Sequence, residues 1–211
     1  MEKRTIRCHE CTKYECAMLY PNGIPDYCQA QKFPEVIEQS KSKYHESQVA
    51  DIHLATARVS KKGGPDWCRI QQCIEFAREL GVTKVGLAVC LALLEESKEF
   101  AKYLKGAGME VVSVGCLVGG VKGEDTGIPE EWIHPMGFTC NPIAQAEIMN
   151  REETQLNFIY GLCVGHDTLF MMHAKAPATC VSVKDTVTVN NPSAVLFSPI
   201  YRMKFEQEYC G

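Results

Sequence analysis

Eight of the twelve cysteines in this 211-residue chain fall into two four-thiol sets. Cys8, Cys11, Cys16 and Cys28 crowd the N-terminal stretch, with the first three inside nine residues. Cys90, Cys116, Cys140 and Cys163 are dispersed, yet each stands where a predicted strand ends or a helix begins. Thiolates are soft ligands that select zinc and iron-sulfur clusters, so both sets point to metal.

The spacing constrains the metal only in part. Gaps of two and then four residues between Cys8, Cys11 and Cys16 match neither the paired knuckles of a zinc ribbon nor the regular triplet of bacterial ferredoxins. Zinc would make this set a structural clip, with His9 able to replace one thiol, and a cluster would make it an electron-transfer site. Zinc knuckles are made by local turns, so the dispersed second set fits an iron-sulfur cluster better, of the 4Fe-4S type with one iron open to substrate. Cys8 and Cys11 also form a C-x2-C pair, but redox pairs of that kind open a helix after a strand, and only seven residues precede this one. Cys68, Cys73, Cys180 and Cys210 are assigned to packing or to the surface.

Gly161-Leu162-Cys163-Val164-Gly165-His166-Asp167 places a thiol, an imidazole and a carboxylate on one strand-to-helix turn. A catalytic Cys163–His166 pair is one reading, and a helix cap at Asp167 beside an exposed His166 is the other. Lys184 closes the next strand on the same rim, where it could hold an anionic substrate or stand in solvent. His134 and His173 read as ordinary loop and helix residues.

The elements that must position these groups follow from the hydrophobic pattern. After Gly81, continuous apolar strands at 83–90, 109–116, 156–163 and about 178–184 alternate with amphipathic helices at 91–105, about 142–151 and about 166–174. Continuous apolar strands signal a sheet covered on both faces. The expected fold is a doubly wound, mostly parallel, Rossmann-like α/β domain over 34–211. Residues 34–80 form its helical lead-in, including a helix capped by Asp66 with Trp67, Ile70, Ile74, Ala77 and Leu80 inside. Residues 1–33 have too few aliphatic side chains for a core and need a metal to hold them. In parallel sheets ligands bind at the carboxyl ends of the strands, which is where Cys90, Cys116 and Cys163 fall. Cys140 precedes Asn141-Pro142, a helix-start signature. The stretch 117–139, with five Gly and two Pro, is long enough to be a lid over that rim.

Bulk composition narrows the setting. A 45% hydrophobic, 23% charged chain of net charge −4 has neither a basic stripe for nucleic acid nor a run of the ~20 apolar residues that span a membrane. The charged N-terminus has no apolar stretch behind it, so the expected compartment is the cytoplasm, where thiols stay reduced and metal chemistry outranks disulfides. The expected partners are a small-molecule substrate or a redox partner protein, with no nucleic acid and no membrane.

The strings Cys140-Asn-Pro-Ile-Ala-Gln-Ala-Glu147 and Gly161-Leu-Cys-Val-Gly-His-Asp167, with Gly86-Leu-Ala-Val-Cys90, Glu110-Val-Val-Ser-Val-Gly-Cys116 and the N-terminal cysteine triplet, resemble the family known as domain of unknown function 1847. The resemblance covers nearly the whole chain. It implies a cysteine-rich, metal-binding protein of mostly anaerobic bacteria and archaea with a redox role and no assigned reaction. Because anaerobes tolerate exposed clusters, it also tilts the metal toward iron-sulfur. Trp67-Cys68 departs from the family pattern, which leaves Cys68 outside the site.

Overall fold

The computed structural model describes residues 7–211. The chain divides into two units, one ending at Ala57 and one running from Arg58 to Gly211. In the first, 3-10 turns at Cys8–Glu10 and Glu15–Met18 precede α1 (Gln29–Lys32), α2 (Pro34–Lys43) and the start of α3 (Ser47–Gly63). Ala55 is the one buried residue among those described in this unit, so apolar burial contributes little to it. Its backbone nevertheless holds Tyr14, Leu19 and Tyr20 at φ of 51°, 58° and 51°. Left-handed conformations in non-glycine residues cost roughly 1–2 kcal/mol each and persist where something else fixes the chain.

In the second unit, α4 (Arg69–Glu79) is followed by β1 (Lys84–Val89), a 3-10 turn at Leu91–Leu93 that runs into α5 (Leu94–Gly106), and β2 (Glu110–Gly115). Then come α6 (Pro142–Arg151), β3 (Leu156–Tyr160), α7 (His166–His173), β4 (Ala178–Ser182) and α8 (Pro199–Tyr209). The four strands are all parallel, in the order β2-β1-β3-β4. From β1 the chain first adds β2 on one side and then crosses back to add β3 on the other. Because such crossovers are right-handed, the reversal puts α5 and α6 on opposite faces, with α4 beside α5 and α7 beside α6. This is the doubly wound architecture expected, and its switch point lies between the carboxyl ends of β1 and β3.

The central strands β1 and β3 are buried almost throughout, while the edge strands β2 and β4 are partly exposed. Val85, Leu87, Ala88, Val89, Phe158 and Ile159 are inaccessible, and Phe100 of α5 meets Phe158 edge-on at 5.4 Å. Gly86 is where α6 comes closest: a Cβ there would lie 2.1 Å from Asn157 Oδ1 and 2.6 Å from Met149 Sδ.

Several boundaries differ from the sequence reading, each for a local reason. The third strand ends at Tyr160 rather than 163, because Gly161 turns the chain at φ 71°. Leu93 packs so close to Gly161 that a Cβ would sit 2.8 Å away. The lead-in is helical as expected, as α2 and α3, but α4 starts at Arg69 after Cys68 rather than at an Asp66 cap, with Trp67 lying against Gly63. The 117–139 stretch folds back on itself through the antiparallel bridge Lys122–Phe138, the bond from Gly123 N–H to the Gly137 carbonyl (2.9 Å) and that from Thr139 N–H to the Val121 carbonyl (3.0 Å). No helix among the described residues is long and apolar enough to cross a membrane.

Candidate functional site

Three strands deliver thiols to the switch-point edge. Cys90 and Cys116 are the residues immediately after β1 and β2, and both are buried. Their strands are in register up to Val89 and Gly115, and Cys116 N–H extends the ladder by bonding the Val89 carbonyl at 2.8 Å. The two thiols are therefore neighbours, within hydrogen-bonding reach of each other. Cys163 enters from the Gly161–Gly165 turn beyond β3. Cys140 sits just before α6, whose N-cap Asn141 accepts the Ala144 N–H at 3.0 Å and donates its own backbone N–H to the Cys116 carbonyl at 2.7 Å. All four cysteines line one cavity of about 500 Å³ together with His166 and Lys184. Lys184 Nζ donates to Cys163 Sγ at 3.6 Å.

Gln145, fully buried on α6, braces this edge. Its Nε2 donates to the carbonyls of Val114 (2.7 Å) and Val89 (3.3 Å), the last turns of backbone before Cys116 and Cys90. Three cysteine-bearing segments are thereby tied by one side chain. Its Oε1 has no hydrogen-bond partner among the described residues.

The electrostatics follow from the crowding. The Cys116 S–H, the Ala92 N–H and the Lys184 ammonium all favour a thiolate at Cys90, against the cost of burial, and hold it at about 5. Cys116, facing that thiolate and buried, is pushed up and stays protonated. Burial raises Cys140, partly offset by its hydrogen bond with Cys116. Lys184 is raised by Cys90 and then Cys163, so its charge is firmly retained. Cys116 Sγ also accepts the Leu91 N–H at 3.5 Å. The site thus offers four sulfurs, one fixed cation and two inward amides.

Asp167 does not join them. Its Oδ1 accepts the N–H groups of Gly165 (3.0 Å) and Thr168 (2.8 Å) at the start of α7, the capping alternative of the two readings. His134, read from sequence as an ordinary loop residue, lines the cavity with Trp132, Phe138 and Ile128 of the folded-back loop. It stacks on Phe138 at 4.3 Å, and its Nδ1 accepts the Met136 N–H at 3.2 Å, which leaves Nε2 as the protonated nitrogen of the neutral ring. Its place between two cysteines of one set was the signal available in sequence.

In the N-terminal unit the four cysteines gather around two tyrosines. Tyr20 shares a hydrogen bond with Cys28 Sγ at 3.3 Å, and the charges of Cys28, Cys16 and Cys8 add to the effects that push its hydroxyl up to about 12. Tyr27 donates to Glu15 at 2.7 Å and feels Cys11 and Cys28. Among the described residues no three His, Cys, Asp or Glu side chains converge as the ligands of a single metal ion do. In the second set Cys90 and Cys140 both reach Cys116, and Cys163 is joined to them through Lys184.

A doubly wound α/β protein with a thiol-lined cavity at its switch point is the class that this fold and site define. The chain belongs to the family described as "Protein of unknown function (DUF1847)", whose model matches residues 28–181 and so takes in all four cavity cysteines. It is also similar to a protein of Methanocaldococcus jannaschii named "Uncharacterized protein MJ0455", at 33% identity over 201 residues, covering 94% of this chain and 97% of the relative.

Proposed function

We propose that this chain is a cytoplasmic metalloprotein that holds an iron-sulfur cluster in the cavity at the switch point. Cys90, Cys116, Cys140 and Cys163 serve as its ligands. The observation that carries this reading is the convergence of four thiols from four separate segments on one cavity. A single zinc ion needs four sulfurs within about 2.3 Å of one centre, whereas a cluster brings several irons and accepts thiolates spread around it. Bound there, the cluster would supply a one-electron centre beside the cavity's cation and imidazoles.

The remaining groups complete the reading. Lys184 offsets the thiolate charge and offers the cavity its cation for an anionic substrate or for the cluster itself. His166 and His134 stand at the cavity as the groups able to hold or pass a proton. Asp167, through Gly165 and Thr168, fixes the turn that carries Cys163 and His166. Cys8, Cys11, Cys16 and Cys28 hold a second metal as a structural clip, zinc being the ion that asks least of such a segment. Support for the clip comes from left-handed Tyr14, Leu19 and Tyr20 in a unit with almost no buried side chain.

Reconstitution of single Cys→Ser variants tests the assignment. Replacing Cys90, Cys140 or Cys163 should remove most of the bound iron and sulfide while the far-ultraviolet dichroism stays that of the wild type. Full loading in all three variants would remove the cavity from consideration as the cluster site.

A further inference from the structure

We infer that Cys90 and Cys116 form a dithiol that reduces low-molecular-weight disulfides and closes into an intramolecular disulfide. The inference goes beyond the metal reading and does not need it. It starts from register: the two residues extend the parallel pairing one step past Val89–Gly115, on neighbouring strands about 4.8 Å apart. That spacing lies within the roughly 4.4–6.8 Å between Cα atoms that a disulfide spans. Cys140 and Cys163 lie on connections outside the ladder and lack this registration. Both thiols are buried and line the cavity of about 500 Å³, a size that admits a small disulfide.

The surroundings divide the labour. Cys90 caps the turn at Leu91–Leu93 that runs into α5, so its sulfur stands at the positive end of a helix and is the attacking one. It attacks one sulfur of R–S–S–R, forming Cys90–S–S–R and expelling R–S⁻, which takes up a proton from solvent. Cys116 then loses its proton as its sulfur attacks Cys90 Sγ, so the Cys90–Cys116 bond forms and the second R–S–H leaves. Two protein thiols are oxidised by two electrons, and one external disulfide is reduced to two thiols. Lys184 and the Leu91 N–H, which bonds Cys116 Sγ at 3.5 Å, stabilise the charge that passes between the sulfurs.

The full chain, purified without air, is assayed for iron and sulfide. Half is stripped with a chelator, and both halves are exposed to bis(2-hydroxyethyl) disulfide, alkylated and mapped by peptide mass spectrometry. The stripped chain should yield a Cys90–Cys116 cross-link as its main intramolecular product, reversed by dithiothreitol. Cys116→Ser should stall as a mixed disulfide on Cys90, and Cys90→Ser should react at Cys116 at least about tenfold more slowly. Protection of the unstripped half would support both this inference and the cluster. Cross-linking in a preparation that never held iron would support this inference and count against the cluster. Free Cys90 and Cys116 in the stripped wild type, while exposed Cys68 and Cys210 are modified, would overturn it, as would a main cross-link from Cys90 to Cys140 or Cys163.

Discussion

Lys184 Nζ lies 3.6 Å from Cys163 Sγ: β4 ends at Ser182, and the chain two residues beyond it brings the cation to the thiols that follow β1, β2 and β3. One positive charge therefore serves several sulfurs, and Cys90 more than any other. In the metal-free chain Cys90 should alkylate with a pH midpoint near 5, well below a free thiol. Lys184→Met should move that midpoint upward by about one unit or more, since a neighbouring opposite charge shifts such groups by one to three units. An unmoved midpoint would mean that Lys184 does not act on Cys90.

The same pair sets the pH dependence of stability in metal-free protein. The Cys90 thiol is depressed in the folded state, so its contribution is fully present above the unfolded value near 9 and is lost as pH falls through about 5. Cys116 is raised, so above pH ~9 the unfolded chain ionises while the folded one does not, and stability falls again. Urea unfolding at fixed temperature should show a maximum near pH 9 that disappears in Cys90→Ser.

Trp132 reports on the cavity, because it lines the wall contributed by the folded-back loop. In a Trp67→Phe background its fluorescence should fall several-fold on cluster loading and recover on chelation. Equal emission in loaded and stripped protein would place the chromophore elsewhere.

The N-terminal cysteines make a separate claim. Cys11→Ser with Cys16→Ser should remove about one metal per chain and expose residues near 14–20 to protease, because among the described residues of this unit only Ala55 is buried. The second unit should keep its unfolding midpoint, since its core is its own.

Gly86→Ala tests the packing that seats α6 against the sheet. The added methyl meets the Asn157 amide and the Met149 sulfur, both fully buried, so the second unit should lose about 3 kcal/mol, read from the urea midpoint.

Much of this architecture is legible in the chain because parallel strands buried on both faces leave long apolar runs. Lys84–Val89 and Glu110–Gly115 fall within the expected strands, and α6 runs over the expected 142–151 because Asn141-Pro142 carries both a cap and a helix-compatible φ. The convergence of Cys90, Cys116, Cys140 and Cys163 was readable from their positions relative to those elements. What sequence periodicity does not carry is non-local pairing in irregular backbone. The Lys122–Phe138 bridge joins residues with no shared pattern, and it is this fold-back that brings His134 and Trp132 to the cavity. Asp167 was ambiguous because a carboxylate after a strand serves equally to cap a helix or to act in a site. The helix at Pro199–Tyr209 is not legible in the sequence because it buries none of its residues and so has no apolar stripe.

Iron and acid-labile sulfide, measured per chain in wild-type protein purified without air, bear most directly on the cluster. About four of each are expected, with a broad visible absorption bleached by reduction and lost when Cys163 is replaced. Protein that carries neither iron nor sulfide, and takes up neither on anaerobic reconstitution, would contradict it.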